Sequence, residues 1–198
     1  MTTTTQELQT TLDAIRTDVE TYPPAIRAFM LTFLFESATA KHYRNGAPAA
    51  WAYSNYYDLL LDLSPEARAT TVRSDEAIGL MAESQCYGNC AEVICEYTGY
   101  TYVEGMAQTD AMFLVRHAWL EDADGNIVDP TWANIPSIAN KPATYFGVRF
   151  AGDFLLSHVV RTGRYSVFDA DWQDDHRVLR HGLKLNDAGF ACDLGDPR

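Results

Sequence analysis

The chain has 198 residues, 47% of them hydrophobic and 21% charged, a balance that suits a globular protein long enough to bury an interior. Its 27 acidic against 15 basic residues leave a net charge of −12, which excludes a nucleic-acid partner gripped through clustered Lys and Arg and fits a basic peptide or a neutral substrate better. No apolar run reaches the roughly 18 residues of a membrane span. The opening "MTTTTQELQT" has neither the basic flank nor the apolar stretch of a secretory signal, so the expectation is a cytoplasmic protein without membrane contact.

Leu8, Leu12, Ile15 and Val19 recur at helical steps and predict an amphipathic helix over 6–21, ended by Pro23-Pro24. The stretch 25–43, "AIRAFMLTFLFESATAKHY", is apolar almost all round, as a helix buried between others would be, and "RNGAPA" breaks it. "AWAYSNYYDLLLDL" predicts a third helix, and "SPEAR" a short fourth, with Ser64 as cap and Pro65 at its first position. After Gly99 the period changes. "YTYVEGMA", "AMFLVRHAWLED", "GNIVDPTW" and "FLLSHVVRTGRYSVF" are rich in β-branched and aromatic residues and read as antiparallel strands. The expected fold is α+β in a single domain over 1–198: a helical layer over 1–80, a core of one helix plus sheet over 81–170, and a tail over 171–198.

Between the two halves lies "QCYGNCAEVICEYTGY", which holds three of the four cysteines. These thiols could form a metal cage, a disulfide framework, a packed helix face, or a nucleophile with buried neighbours. A chain of this size without a secretory signal is expected to keep its cysteines reduced. The C-x3-C-x4-C spacing of Cys86, Cys90 and Cys95 does not match the paired C-x2-C of a zinc ribbon, and no metal or cofactor is assigned. Cys86, Asn89, Cys90, Val93, Ile94 and Tyr97 share one stripe of a helix that starts at Cys86, with Gly99 at the left-handed cap. A thiol in the first turn gains from unpaired backbone N–H groups and the helix dipole. Cys90, one turn in beside Val93 and Ile94, reads as packing.

The stretch "RHAWLEDADGNIVDPTW" carries a geometric expectation. If Ala123-Asp124-Gly125 is a three-residue hairpin loop with Gly125 left-handed, Asp122 faces Asn126, Trp119 faces Asp129, and His117 lies diagonal to Asp129 on the same face. A two- or four-residue loop would put them on opposite faces. A carboxylate beside an imidazole fixes its tautomer and stabilises its charged form. Asp122, Asp124 and Asn126 suit the tip of such a hairpin better than a calcium loop.

Cys86 opening a helix with a small residue four positions on, then "YVEG" at 102–105, "HAW" at 117–119 and "DPTW" at 129–132, together resemble the core of the transglutaminase-like superfamily of papain-like cysteine enzymes. "YVEGMA" and "YFGVRF" also resemble small proteins of phages and actinobacteria. The resemblance implies a papain-like Cys-His-Asp core. Cys86 would attack an acyl carbon, His117 would move the proton and Asp129 would orient His117. The reaction would be hydrolysis or acyl transfer on an amide bond of a peptide or small molecule, through a thioester. The backbone N–H groups of Cys86 and Tyr87 and the Gln85 side chain are candidates for meeting the oxyanion. Asn89 is placed either on substrate or in helix packing. Trp119, Trp132 and Tyr145 are placed either on a cleft wall or in the sheet core, and Glu104 either on an exposed face or on substrate, the exposed face being favoured. His158, His176 and His181 are assigned no partner. The alternative function is an inert fold that binds a protein partner.

Overall fold

The computed structural model describes residues 5–43, 50–64, 66–110 and 112–195. The two first helices fall where the periodicity puts them. α1 spans Thr5–Asp18 and continues as a 3-10 turn over Val19–Thr21; α2 spans Pro24–Tyr43, with Pro24 at the position where a missing N–H costs nothing. α2 is less enclosed than its composition suggests: Ile26, Phe29, Met30, Phe33 and Ser37 are buried along one stripe, while Ala28 and Glu36 on the other side are exposed.

α3 spans Tyr56–Leu63, later than expected, because Asn55 caps it: its side chain accepts from the Asp58 N–H at 3.0 Å. The short fourth helix is corrected. Ser64 closes α3 by donating its N–H to the Leu60 carbonyl at 2.9 Å, and the chain then extends into strand β1, Arg68–Thr71; Pro65 lies outside the described residues. The helical layer therefore ends earlier than residue 80.

The central helix α4 spans Cys86–Glu96, and Gly99 adopts φ +91° just past it. β2, Thr101–Thr109, and β3, Met112–Glu121, follow, then β4, Ile127–Val128, a 3-10 turn at Trp132–Asn134, and β5, Pro142–Phe150. The segment "FLLSHVVRTG", expected as strand, is helix α5, Gly152–Thr162. Leu155 and His158 lie three apart on its buried side, and Gly163 ends it at φ +68°. The expected tail is also structured. A 3-10 turn at Asp171–Asp174, helix α6 at Arg177–His181, and strands β6, Leu183–Leu185, and β7, Phe190–Leu194, complete the chain.

The strands form a seven-stranded sheet in the order β4-β3-β2-β5-β7-β6, with β1 on β5 beside β7; its pairs are antiparallel except β5 with β7. The mixed α+β class is thus observed. One face buries Phe29 and Phe33 of α2, Leu59 and Leu60 of α3, and Cys90 and Val93 of α4 against Tyr102, Met106, Leu120, Phe146, Val148 and Phe150. The other face buries Val103, Ala107, Trp119, Tyr145, Trp132 and Ile138. Among the described residues no helix is long and apolar enough to cross a membrane.

Candidate active site

The hairpin between β3 and β4 has the expected register. Leu120 pairs with Val128 and Glu121 with Ile127, Gly125 is left-handed at φ +77°, and the Asp122 N–H donates to the Asn126 carbonyl at 3.0 Å. The Asp122 carboxylate accepts from the backbone of Asp124 and Asn126, so this acidic side chain closes the turn. Immediately past β4 the register brings Asp129 to His117: Nε2 lies 2.7 Å from Asp129 Oδ2.

Asp129 is fully buried, and each of its oxygens is held. Oδ2 also accepts from the Tyr145 hydroxyl at 3.0 Å, and Oδ1 from the Trp132 N–H at 2.9 Å. The Trp132 ring stacks on the imidazole, centroids 4.2 Å apart and 19° from parallel, and Trp119 lies near-parallel at 6.4 Å. His117 therefore has a fixed ring plane and a fixed partner. Burial alone would depress its pKa, but the Asp129 carboxylate and a hydrogen bond to Cys86 outweigh it and raise it to about 9.

Cys86 is the first residue of α4, half-buried, and lies near enough to His117 for its thiol to help raise the imidazole pKa. The first intrahelical bond runs from the Asn89 N–H to the Gln85 carbonyl at 2.8 Å, so the N–H groups of Cys86, Tyr87 and Gly88 precede the helical ladder and can meet an anion. Gln85 is exposed and its side chain makes no cap bond. The four cysteines are free thiols, which removes the disulfide reading. Cys90 is fully buried, and burial first, then the Asp129 charge, pushes its thiol well above the ordinary range. Among the described residues no group of three His, Cys, Asp or Glu side chains could hold a metal.

The other candidate residues divide. Asn89 is buried and turned inward, donating through Nδ2 to the Ala82 carbonyl at 2.7 Å and to Thr131 Oγ1 at 2.8 Å, which ties α4 to the loops around it. Trp119, Trp132 and Tyr145 are 2%, 3% and 1% exposed: they pack beneath the imidazole in the sheet core and do not wall an open cleft. Tyr87 does face an opening. A groove of about 410 Å³ runs between Ser84, Gln85, Tyr87 and Gly88 on one side and Gly163–Ser166, Asp169, Ala170 and Gln173 on the other. Cys86 and His117 do not themselves line this groove, though the chain neighbours of Cys86 do; a larger groove of about 800 Å³, lined by Ala25, Phe29, Thr70, Thr109, Phe113 and Thr144 among others, lies away from α4, so size does not mark the chemistry.

Glu104 is where the expectation fails. It is 1% exposed on the α4 face of the sheet, between Tyr102 and Met106, and is neither on an exposed face nor at the groove. The β2 alternation carried the signal, since a carboxylate on an apolar face must find donors. Its donors come from a loop more than sixty residues away, which local sequence does not reveal.

The chain matches no family model, no curated protein and no solved structure.

Proposed function

We propose that the protein is a cysteine-dependent hydrolase or acyltransferase acting on an amide bond, with a papain-like, transglutaminase-type arrangement of Cys86, His117 and Asp129. The observation that supports it is a fully buried, doubly held Asp129 bonded to His117 Nε2, with the half-buried Cys86 thiol, at a helix start, near enough to favour the charged imidazole. A structural histidine needs a hydrogen-bond partner; it does not need a thiol in the first turn of a helix as the next member of the chain.

In this reading His117 stands as an imidazolium beside Cys86, and its charge favours the thiolate. The thiolate attacks the amide carbon, and the oxyanion that forms is met by the Cys86 and Tyr87 N–H groups, assisted by Gln85. The imidazolium gives its proton to the leaving nitrogen, the C–N bond breaks, and a thioester remains on Cys86. His117, now neutral, takes a proton from water or from an amine, which attacks the thioester and releases the thiolate. Asp129 keeps Nε2 bonded throughout, so that the other ring nitrogen is left for the proton transfers.

The test is differential alkylation with iodoacetamide near pH 7, followed by peptide mapping. Cys86 is expected to label faster than an ordinary free thiol, and Cys90 only after unfolding. His117→Ala should slow Cys86 labelling, Cys86→Ala and His117→Ala should abolish turnover in an amide-substrate screen, and Asp129→Asn should leave a reduced rate. Absence of native labelling at Cys86 would sink the enzyme reading and leave the alternative, a binding module that keeps the fold.

A further inference from the structure

Glu104 sits under the groove and not in it. Oε1 accepts from Ser166 Oγ at 2.5 Å and the Phe168 N–H at 2.8 Å; Oε2 accepts from the Val167 N–H at 2.8 Å and the Tyr102 hydroxyl at 3.1 Å. Three of these donors are consecutive residues of the segment after Gly163, the segment that supplies Tyr165, Ser166 and Asp169 to the groove. The same segment is fastened from two further sides. His158 Nε2 on α5 bonds the Ser166 carbonyl at 2.9 Å, and Asp169 accepts from Tyr87 Oη at 2.9 Å and Arg116 at 2.6 Å. Across the groove the half-exposed Tyr165 ring lies over Gly88 of α4: a Cβ there would touch it at 3.6 Å. One buried carboxyl thus anchors the wall facing the first turn of α4.

We propose that Glu104 is a positioning residue: through its carboxyl group it holds residues 165–169 as the far wall of the groove that Gln85, Tyr87 and Gly88, the chain neighbours of Cys86, line from the other side, and so governs how readily bulky groups approach that thiol. The inference rests on the reading of Cys86 as the nucleophile, and its core can be tested without it.

The anchor is sensitive to protons in the physiological range. Burial pushes Glu104 up to about 7, against the bonds from Ser166, Val167 and Phe168 that favour its charge. The groups facing it are Tyr102 on its own strand, Tyr87 and Cys90 on α4, and Tyr56 on α3, all pushed up and neutral in this range, and Asp169 in the loop, which raises Glu104 further. Opening the wall lets water reach the carboxyl and returns it toward its ordinary value of 4.5. The closed wall therefore binds the proton more tightly than the open one, so acidification closes it, and its hold loosens as pH rises from 4.5 to about 7. A protonated Glu104 can donate to Tyr102 Oη, whose own hydrogen then turns to the Tyr165 carbonyl, 3.3 Å away.

The experiment is amide hydrogen exchange on the full chain at pH 5.5, 7 and 8.5, corrected for intrinsic rates, together with the ratio of Cys86 alkylation rates by a dansyl-bearing and a plain iodoacetamide. The ratio cancels the thiolate's own pH dependence. Protection at Val167 and Phe168 should fall by about tenfold or more from pH 5.5 to 8.5 while the bulky-to-small ratio rises. Glu104→Gln should flatten both profiles. Should that variant not fold, Ser166→Ala serves: losing a bond that favours the carboxylate should move the loosening midpoint to higher pH. A flat wild-type profile, an unchanged profile in Glu104→Gln, an unmoved midpoint in Ser166→Ala, or a constant alkylation ratio would each overturn the proposal. Inertness of Cys86 to both reagents at every pH would instead defeat the enzyme reading, and the exchange profile would still decide whether Glu104 anchors the wall.

Discussion

At the scale of the residue, the charge on His117 is decided by its contact with Asp129. The two side chains are removed from water together, and the pair holds its proton to about pH 9 where an ordinary imidazole loses it near 6.5. A basic group raised on folding contributes stability that is fully present below its unfolded value and is lost as pH rises through its folded value. Urea unfolding of the wild type should therefore lose on the order of 3 kcal/mol between about pH 6.5 and 9. Glu104, also raised, contributes its own decline, but that is complete by about pH 7, so the window above 7 belongs to His117. Asp129→Asn keeps the shape and removes the charge. Its stability should be lower at neutral pH and nearly flat across that window, and a wild-type slope surviving in this variant would show that some other group carries it. Cys86 and Cys90 separate on the same measurement. Cys90→Ser puts a hydroxyl into a fully enclosed site and should cost about 1–3 kcal/mol, and Cys86→Ser, half-buried at a helix start, less.

At the scale of the element, the site depends on how closely β2, β3 and β5 can approach. Gly105 and Gly147 pair across β2 and β5, and a Cβ on Gly147 would lie 2.5 Å from the Trp119 ring and 2.7 Å from the Glu104 carbonyl. Gly147→Ala should destabilise by about 1–3 kcal/mol and, because Trp119 must tilt under the imidazole, should also slow Cys86 alkylation. Destabilisation without any change in alkylation would mean that Trp119 does not transmit the shift. The same elements show what the sequence could disclose. The hairpin was legible because a three-residue loop ending in Gly125 fixes the register, and register alone puts Asp129 beside His117. α4 was legible because the stripe Cys86–Asn89–Cys90–Val93 and Gly99 agree. α5 was misread because Phe154, Leu155, Val159 and Val160 look like a strand to local propensity; the helical signals were Asp153 in the first turn and Gly163 after the last. β1 was hidden because four residues, "RATT", become a strand only through pairing with Tyr145–Pro142, more than seventy positions on. Glu104 was misplaced for the same reason: its partners are distant in sequence, and propensity is blind to them.

At the scale of the whole molecule, the helical layer and the sheet share one interior. Phe33 of α2, fully buried, meets Phe146 of β5 edge-on at 5.0 Å and Tyr57 of α3 at 5.2 Å, and Phe29 stands 5.9 Å from Phe33 and 6.2 Å from Phe146. Removing the first 70 residues would therefore strip the cover from Phe146, Val148 and Phe150 and take with it β1, which hydrogen-bonds the start of β5. A domain of about 200 residues is held by a margin of roughly 5–15 kcal/mol, and truncating a fully buried phenylalanine costs about 3–5 kcal/mol through lost burial and an unfilled cavity. Phe33→Ala should accordingly shift the unfolding of the entire chain. Of the four tryptophans, Trp119 and Trp132 beneath His117 are the buried ones and should dominate the fluorescence change on unfolding, while far-ultraviolet dichroism is dominated by the helices, so the two probes watch largely different parts of the structure. Both are expected to move together to lower denaturant in Phe33→Ala, and limited proteolysis of the wild type should release no stable fragment beginning near residue 70. If the dichroism transition alone moves, or such a fragment persists and keeps the Cys86 reactivity, then the helices are an appendage and the sheet with α4 stands without them.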